Sequence, residues 1–213
     1  MGTTEKTEKK EHIMQVAEQL FSEMGYDGAS TRAIAQEANV NMAMLNYYFG
    51  SKEGLFKAII ANRMDTSKNQ LEELIADNTT AWEKLQTIID WYSERLLSNS
   101  CFQRIIQREI TLNQRNEISE YVTSRLLRNA MLIKKVITDG VDSGEFRDVD
   151  VDFVLATIYG TKNYLVFSQH VASAVLDKDL SDPEVLEKEI RPRAKTYLKD
   201  LFKTYLLAHD TNK

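Results

Sequence analysis

The residue types that most often carry out catalysis or bind metals do not occur in recognisable combinations in this chain. There is no HExxH pair, no glycine-rich phosphate loop and no cysteine–histidine pair within one motif. Cys101 is the single cysteine, which excludes a disulfide or a cysteine metal cluster within one chain, and the three histidines lie far apart. We therefore predict no enzymatic activity, no cofactor and no metal site.

The most distinctive spacing occurs in residues 30–56, STRAIAQEANVNMAMLNYYFGSKEGLF. Two short helical patterns stand back to back there, separated by three residues at 39–41. Ser30 or Thr31 can cap the first helix, Asn39 can end it in the left-handed conformation, and Asn41 can cap the second. Two short helices joined by such a turn match the helix-turn-helix motif, in which the second helix lies in the major groove of DNA.

The elements around this motif are predicted to be helices. Only 8 Gly and 2 Pro occur in 213 residues, apolar residues recur at helical spacing, and no window shows sustained two-residue alternation. The fold class expected is all-α. Beside the two short helices, the pattern predicts helices at about 7–24, 52–77, 80–98, 101–113, 116–142, 150–174 and 182–208. Pro192 predicts a break or kink in the last of these.

Composition indicates neither a membrane protein nor a nucleic-acid partner. The net charge is −5, and residues 1–56 hold five Lys or Arg against eight Asp or Glu. No apolar run approaches the roughly 20 residues that span a bilayer. The polar start, MGTTEKTEKKEH, is unlike a secretory signal, so we expect a cytoplasmic protein. We expect Lys6, Lys9 and Lys10 to lie in a solvated tail rather than in a DNA groove.

The run from Ile13 to Ile60, IMQVAEQLFSEMGYDGASTRAIAQEANVNMAMLNYYFGSKEGLFKAII, resembles the DNA-binding domain of TetR-family transcriptional regulators. The resemblance rests on the apolar first helix, the GYDGAST loop, the TRAIAQEANV helix and the YYFGSKEGLF ending. Later helices are similar to that family only in layout. The resemblance implies an N-terminal three-helix helix-turn-helix domain, 1–55, and a C-terminal bundle of about six helices, 56–213, for effector binding and dimerisation.

The resemblance also implies which residues contact double-stranded DNA. Thr31 and Tyr47 would hydrogen-bond to DNA phosphates, and Lys52 would form an ion pair with the DNA backbone. Arg32 would reach a phosphate or a guanine edge. Met42 and Met44 would either contact thymine methyl groups or be ordinary surface residues. The full set implied is Thr31, Arg32, Asn41, Met42, Ala43, Met44, Asn46, Tyr47 and Lys52.

Two further sets of residues follow from the same resemblance. The middle helices would enclose a small-molecule effector with Trp82, Trp91, Tyr92, Phe102, Glu109, Tyr121 and Met131. Those aromatics could equally be core, and Glu109 could pair with an arginine inside the domain. The last long helices would form a homodimer interface with Val154, Ile158, Leu165, Tyr197, Leu201 and Tyr205. These stripes could instead pack within the subunit.

The resulting expectation is a repressor released from a pseudo-palindromic operator by a small molecule. Two alternatives stay open at this point. One is a small-molecule-binding helical protein without DNA-binding function, and the other is a transcriptional activator of the same family.

Overall fold

The computed structural model describes residues 2–98, 100–112 and 116–207. The helices are α1 (Gly2–Gly28), α2 (Thr31–Glu37), α3 (Met42–Phe49), α4 (Lys52–Ala76), α5 (Ala81–Ser98), α6 (Ser100–Leu112), α7 (Asn116–Asp142), α8 (Val151–Phe167), α9 (Gln169–Leu176), α10 (Pro183–Val185) and α11 (Arg191–Leu207), with a π-helical turn at Leu186–Ile190. No strand occurs in those ranges, and the all-α prediction is confirmed. The helix expected at 150–174 is two helices that meet at Ser168. The predicted end residues Asn113 and Ala208 lie outside the described residues.

The contacts divide the chain into two compact units. Unit 1 comprises residues 1–67 and 100–127, and unit 2 comprises residues 68–99 and 128–213. This grouping by contacts places α6 and the start of α7 with the three N-terminal helices. The domains expected from the sequence, 1–55 for DNA binding and 56–213 for effector binding and dimerisation, follow the motif and not the contacts. They stay a prediction about function.

Unit 1 is held together by one apolar cluster to which all its helices contribute. Phe21, Tyr26 and Phe56 form its aromatic centre, with ring centroids 5.2 to 5.8 Å apart. From α6, the Arg104 guanidinium donates to Ser22 Oγ at 3.1 Å, at the end of α1. Burial of a large ring contributes on the order of 2–3 kcal/mol to the stability of the folded state. The short helices α2 and α3 therefore pack on a stable core.

Gly25 interrupts α1 with a φ of +74°. A side chain there would be strained by that φ, and its Cβ would also lie 2.6 Å from Arg108 Nη1 on α6. Glycine at position 25 therefore lets the chain turn toward α2 and lets α6 pack closely.

The start of the chain differs from the expectation. We expected a polar tail before about Thr7, but α1 begins at Gly2 and Lys6 belongs to it. The tail prediction is wrong because helical spacing places Lys6 and Lys10 on the same stripe as Ile13 and Ala17. The apolar face of α1 thus continues as a basic one.

Unit 2 packs α5 against α11 and α8. Asp90 on α5 pairs with Lys195 and Lys199 on α11, at 3.0 and 2.7 Å. The Glu145 carboxylate accepts from the first backbone N–H groups of α5, those of Ala81 and Trp82, at 2.8 and 2.9 Å. A carboxylate at a helix N-terminus is favourable both for its hydrogen bonds and for its charge.

The final helical segment is irregular where Pro192 predicts it. Asp182 caps its start, with Pro183 in the first position. The turn at Leu186–Ile190 is π-helical, and the Arg191 N–H donates to the Leu186 carbonyl. Proline lacks an N–H and its ring crowds the preceding turn, and a wider turn accommodates both. The segment is therefore widened at this point and not cut.

Across the described residues, no helix is both long enough and apolar enough to pass through a lipid bilayer.

Candidate nucleic-acid interface

The turn between α2 and α3 is built from capping hydrogen bonds. Ser30 Oγ accepts from the Ala33 N–H at 3.0 Å, and Asn41 Oδ1 accepts from the Met44 N–H at 2.7 Å. Asn39 ends α2 with a φ of +51°, a conformation that asparagine tolerates better than most residues. Of the two candidates for the cap of α2, the structure shows Ser30, and the predictions for Asn39 and Asn41 are confirmed.

Apolar side chains hold both helices to unit 1. Ile34, Ala35, Ala38 and Leu45 are buried in its core cluster. Tyr48 and Phe49 are half-buried against the same cluster. These contacts fix which face of α3 points outward.

The outward face of α3 carries Ala43, Asn46 and Tyr47. Their spacing of three and four residues places them side by side on one helical face. The Tyr47 side chain is 70% exposed, although most large aromatic residues are buried. A phenol held in water beside an amide is suited to hydrogen bonding with an external polar partner.

The other predicted contact residues flank this face. Met42 is 39% exposed, and Met44 is half-buried at the edge of α3. Arg32 is exposed on α2 and Thr31 is half-buried beside it. The Asn41 cap uses only its carbonyl oxygen, while its amide nitrogen carries two donors.

Lys52 lies at the start of α4 and contacts the last turn of α1, after Gly25. Its Nζ is 4.5 Å from the centroid of the Tyr26 ring and donates to the Asp27 carbonyl at 3.4 Å. These contacts hold the half-buried Lys52 ammonium close to the candidate DNA-binding surface.

Lys6 is a residue of this site that sequence reasoning missed. Its Nζ donates to Tyr47 Oη at 2.8 Å and lies 4.8 Å from the ring centroid. One turn later, Lys10 Nζ lies 5.9 Å from the Phe49 ring centroid. The available signal was the four-residue spacing of Lys6 and Lys10 in register with Ile13.

The Lys6–Tyr47 hydrogen bond also changes the acidity of both groups. The bond to the Tyr47 oxygen raises the pKa of Lys6, and the ammonium as donor lowers the pKa of Tyr47. A more acidic phenol is a better hydrogen-bond donor to an anion.

The residues predicted to line an effector pocket fall in both units. Phe102 and Glu109 are buried on α6 in unit 1, where the Tyr121 hydroxyl donates to the Lys57 carbonyl at 3.3 Å. In unit 2, three aromatic residues of α5 pack half-buried against the core, and Met131 of α7 is 51% exposed. Those aromatic residues are Trp82, Trp91 and Tyr92. The pocket itself stays a prediction.

Two of the residues predicted for the dimer interface are in the core of their own chain. Val154 is 2% exposed and Ile158 is wholly buried. The exposed stripe of α8 instead starts one residue earlier, at Phe153, which is 73% exposed. Adjacent residues in a helix point about 100° apart, so an error of one position exchanges the core face for the surface.

The remaining residues of that set differ in exposure. Tyr197 and Tyr205 of α11 are exposed, Leu201 between them is half-buried, and Leu165 packs partly against the cluster around α9.

A helix-turn-helix packed on its own core, with an exposed outward face on its second helix, is the arrangement of a class of DNA-binding proteins. Comparison with known proteins specifies the family. Residues 13–59 match the model of bacterial regulatory proteins of the tetR family, and residues 82–191 match the tetracyclin repressor-like C-terminal domain. The chain belongs to the TetR family of transcriptional regulators.

Individual relatives agree with this assignment. The transcriptional repressor AcnR of Corynebacterium glutamicum is 30% identical over 73% of this chain and 78% of its own length. The fatty acid metabolism regulator protein of Bacillus subtilis is 27% identical, over 74% and 81%. The structure of the regulator FadR from Bacillus subtilis, in complex with stearoyl-CoA, has a TM-score of 0.65, with 23% identity over 88% of this chain and 96% of that one. The last likeness concerns the fold.

Proposed function

We propose that this regulator is a homodimeric repressor that binds a pseudo-palindromic operator and leaves it when a small-molecule effector binds. The observation that carries the DNA-binding half is the outward face of α3, with Ala43, Asn46 and the exposed Tyr47. The repressing direction is supported by the relatives that are named as repressors.

In this proposal the residues around the turn divide the work of recognition. Tyr47, Thr31 and Lys52 contact phosphates, and these contacts set the register without reading sequence. Asn46 would pair with an adenine edge or a phosphate, and Arg32 with a guanine edge or a phosphate. The exposed Ala43 and Met42 would pack against thymine methyl groups.

The dimer is needed because one such helix reads too few base pairs to be selective. We propose that exposed aromatic residues on α8 and on α11 contact a second copy of the chain. We define the aromatic stripe as Phe153, Tyr164, Tyr197 and Tyr205, all exposed in the single chain. Gly160, between the two α8 aromatics, has open space around it, so a facing helix can come close.

The effector that we propose has a long apolar chain and a polar head, and acyl-coenzyme A thioesters are the first candidates. The Bacillus subtilis relative is named as a fatty acid metabolism regulator, and the FadR structure from the same organism, which is similar in fold, holds stearoyl-CoA. Within unit 2, the Tyr92 hydroxyl is buried, and no described residue hydrogen-bonds to it. A buried hydroxyl without a partner costs on the order of 1–3 kcal/mol, which a polar atom of a ligand would offset.

Burial also dominates the acidity of this tyrosine pair. Tyr92 and Tyr159 stack edge to face at 5.5 Å, and burial raises the pKa of Tyr92 well above its usual range and that of Tyr159 to about 12. Both stay protonated at neutral pH, so Tyr92 would act toward a ligand as a neutral donor or acceptor.

The DNA-binding proposal is tested by selecting sequences from random duplex DNA with the full-length protein, followed by footprinting. We expect a two-fold-symmetric site protected on both halves. Absence of binding to any selected duplex at low salt would contradict the proposal.

The effector proposal is tested on the complex with the selected duplex. Stearoyl-CoA should release the DNA, and coenzyme A alone should not. Tyr92→Phe should raise the stearoyl-CoA concentration needed for release while leaving operator affinity unchanged. If no acyl-CoA releases the DNA, the effector class is wrong and the operator data stand.

A further inference from the structure

Two lysines on one face at the start of α1 lie beside the exposed Tyr47 and the half-buried Phe49 of α3. Lys6 and Lys10, one turn apart on α1, approach the rings of Tyr47 and Phe49. They add positive charge next to α3 on a segment whose overall composition is acidic. Both lie before residue 13, where the match to the family model begins.

Lys9, on the same turn, is engaged differently. Its Nζ pairs with the Glu5 carboxylate at 2.8 Å. The neighbouring Lys6 instead reaches 41 residues along the chain to the Tyr47 hydroxyl. The lysines of this turn are therefore chemically distinct, which a composition count cannot reveal.

The Lys6–Tyr47 hydrogen bond has a direction that matters for a third partner. The ammonium donates and the phenol oxygen accepts, so the Tyr47 O–H remains a donor to a third group. An ammonium carries three N–H donors, and the bond to Tyr47 uses one of them. Lys6 and Tyr47 together thus offer several donors and one positive charge within about 3 Å of each other.

Of the common ligand groups, a phosphate oxygen suits this arrangement best. Its charge is matched by the ammonium, and its several lone pairs can accept from both side chains at once. We propose that Lys6 and Tyr47 form a single phosphate-binding pair, in which α1 contributes a DNA contact outside the helix-turn-helix. This inference rests on the proposed DNA-binding function.

A phosphate contact of this kind carries no sequence information. Lys6→Ala should therefore weaken binding by the same factor on the selected duplex and on unrelated duplex DNA. Each neutralised phosphate contributes about 0.9 to the slope of log K against log salt, and a dimer holds two such pairs. We expect the slope to fall by nearly two and the affinity to fall on the order of tenfold at moderate salt.

The matched control is Lys9→Ala, which removes the same charge from the same turn. It should change affinity less than twofold, because Lys9 is already paired with Glu5. Lys6→Arg should restore most of the salt slope. Both alanine variants alter exposed side chains, and their unfolding midpoints should equal that of the parent protein.

A double-mutant cycle tests whether the two side chains bind one phosphate. If they do, Lys6→Ala combined with Tyr47→Phe should lose little more affinity than the more damaging single change. Strictly additive losses would overturn the shared contact. A Lys6→Ala protein that binds less tightly with an unchanged salt slope would show that Lys6 only orients Tyr47.

The proposed function and this inference fail in distinguishable ways. If the parent protein binds no selected duplex, both are overturned. If the parent binds and Lys6→Ala behaves like Lys9→Ala, only the phosphate-binding pair is overturned.

Discussion

Two helices carry the surfaces that we propose for binding partners, α3 in unit 1 and α11 in unit 2. They are built in opposite ways. α3 has eight residues and one fully buried side chain, Leu45, and its ends are set by Asn41 and Gly50. α11 has seventeen residues and a buried stripe on one face. That stripe is Ala194, Leu198, Phe202 and Leu206.

Their exposed faces differ in the same sense. α3 presents small or polar groups beside one phenol, while α11 presents Tyr197 and Tyr205 beside a half-buried leucine. The first face suits a hydrated, charged partner, and the two tyrosines of the second supply aromatic surface among polar residues. Local capping therefore orients the helix that we propose to read DNA, and long-range packing orients the helix that we propose to join two subunits.

The largest effect, a loss of stability, is expected for a substitution of Leu45, and it tests the comparison of α3 with α11. Leu45→Ala removes the one fully buried side chain of α3 and should lower the free energy of unfolding by about 2–5 kcal/mol. Urea unfolding followed by circular dichroism measures it. Ala43→Ser, on the outward face of the same helix, should leave the midpoint nearly unchanged, and an equal loss there would refute our assignment of the two faces.

The next effect concerns the aromatic stripe. Tyr197→Asp should convert a dimer into monomers at micromolar concentration, because an unpaired charge in an apolar interface costs several kcal/mol. Sedimentation velocity gives the mass directly. Thr196→Asp places the same charge on the neighbouring exposed position and should leave the dimer intact; if both variants stay dimeric, the stripe is not the interface.

A smaller effect is expected at the cap of α3. Asn41→Ala should lower the free energy of unfolding by about 1 kcal/mol, because the Met44 N–H loses its acceptor. Asn41→Asp should retain most of that stability. Thermal unfolding of the two variants and the parent tests the assignment, which would be undermined if alanine and aspartate gave the same midpoint.

The smallest effect concerns sequence preference. Met42→Ala should change the selected base at a defined position, with a cost of ~1 kcal/mol or less for one apolar contact. Tyr47→Phe should weaken binding to all duplexes alike. Parallel selections from random DNA would reveal the difference, and identical profiles for the two variants would contradict the division between base reading and phosphate binding.

The same contrast explains what the sequence could predict. The bounds of α2 and α3 follow from Ser30, Asn39, Asn41 and Gly50, because capping is decided by residues next to one another. Val154 was expected on an exposed face of α8 but is buried, because Phe153 and Val154 are both apolar and only the neighbouring helices decide which is buried. Lys6 was missed for a similar reason, since its partner lies 41 residues away.

The discontinuity of unit 1 has a consequence for building chimeric regulators. Its core cluster includes Phe102, Ile105 and Ile106 from α6, and Ile118 and Val122 from α7. A chimera that contained only the N-terminal 60 residues would include the helix-turn-helix. It would lack the residues of α6 and α7 that complete its hydrophobic core. The portable module of this protein is therefore spliced from two stretches of sequence, and a donor gene must supply residues 100–127 together with the first 67.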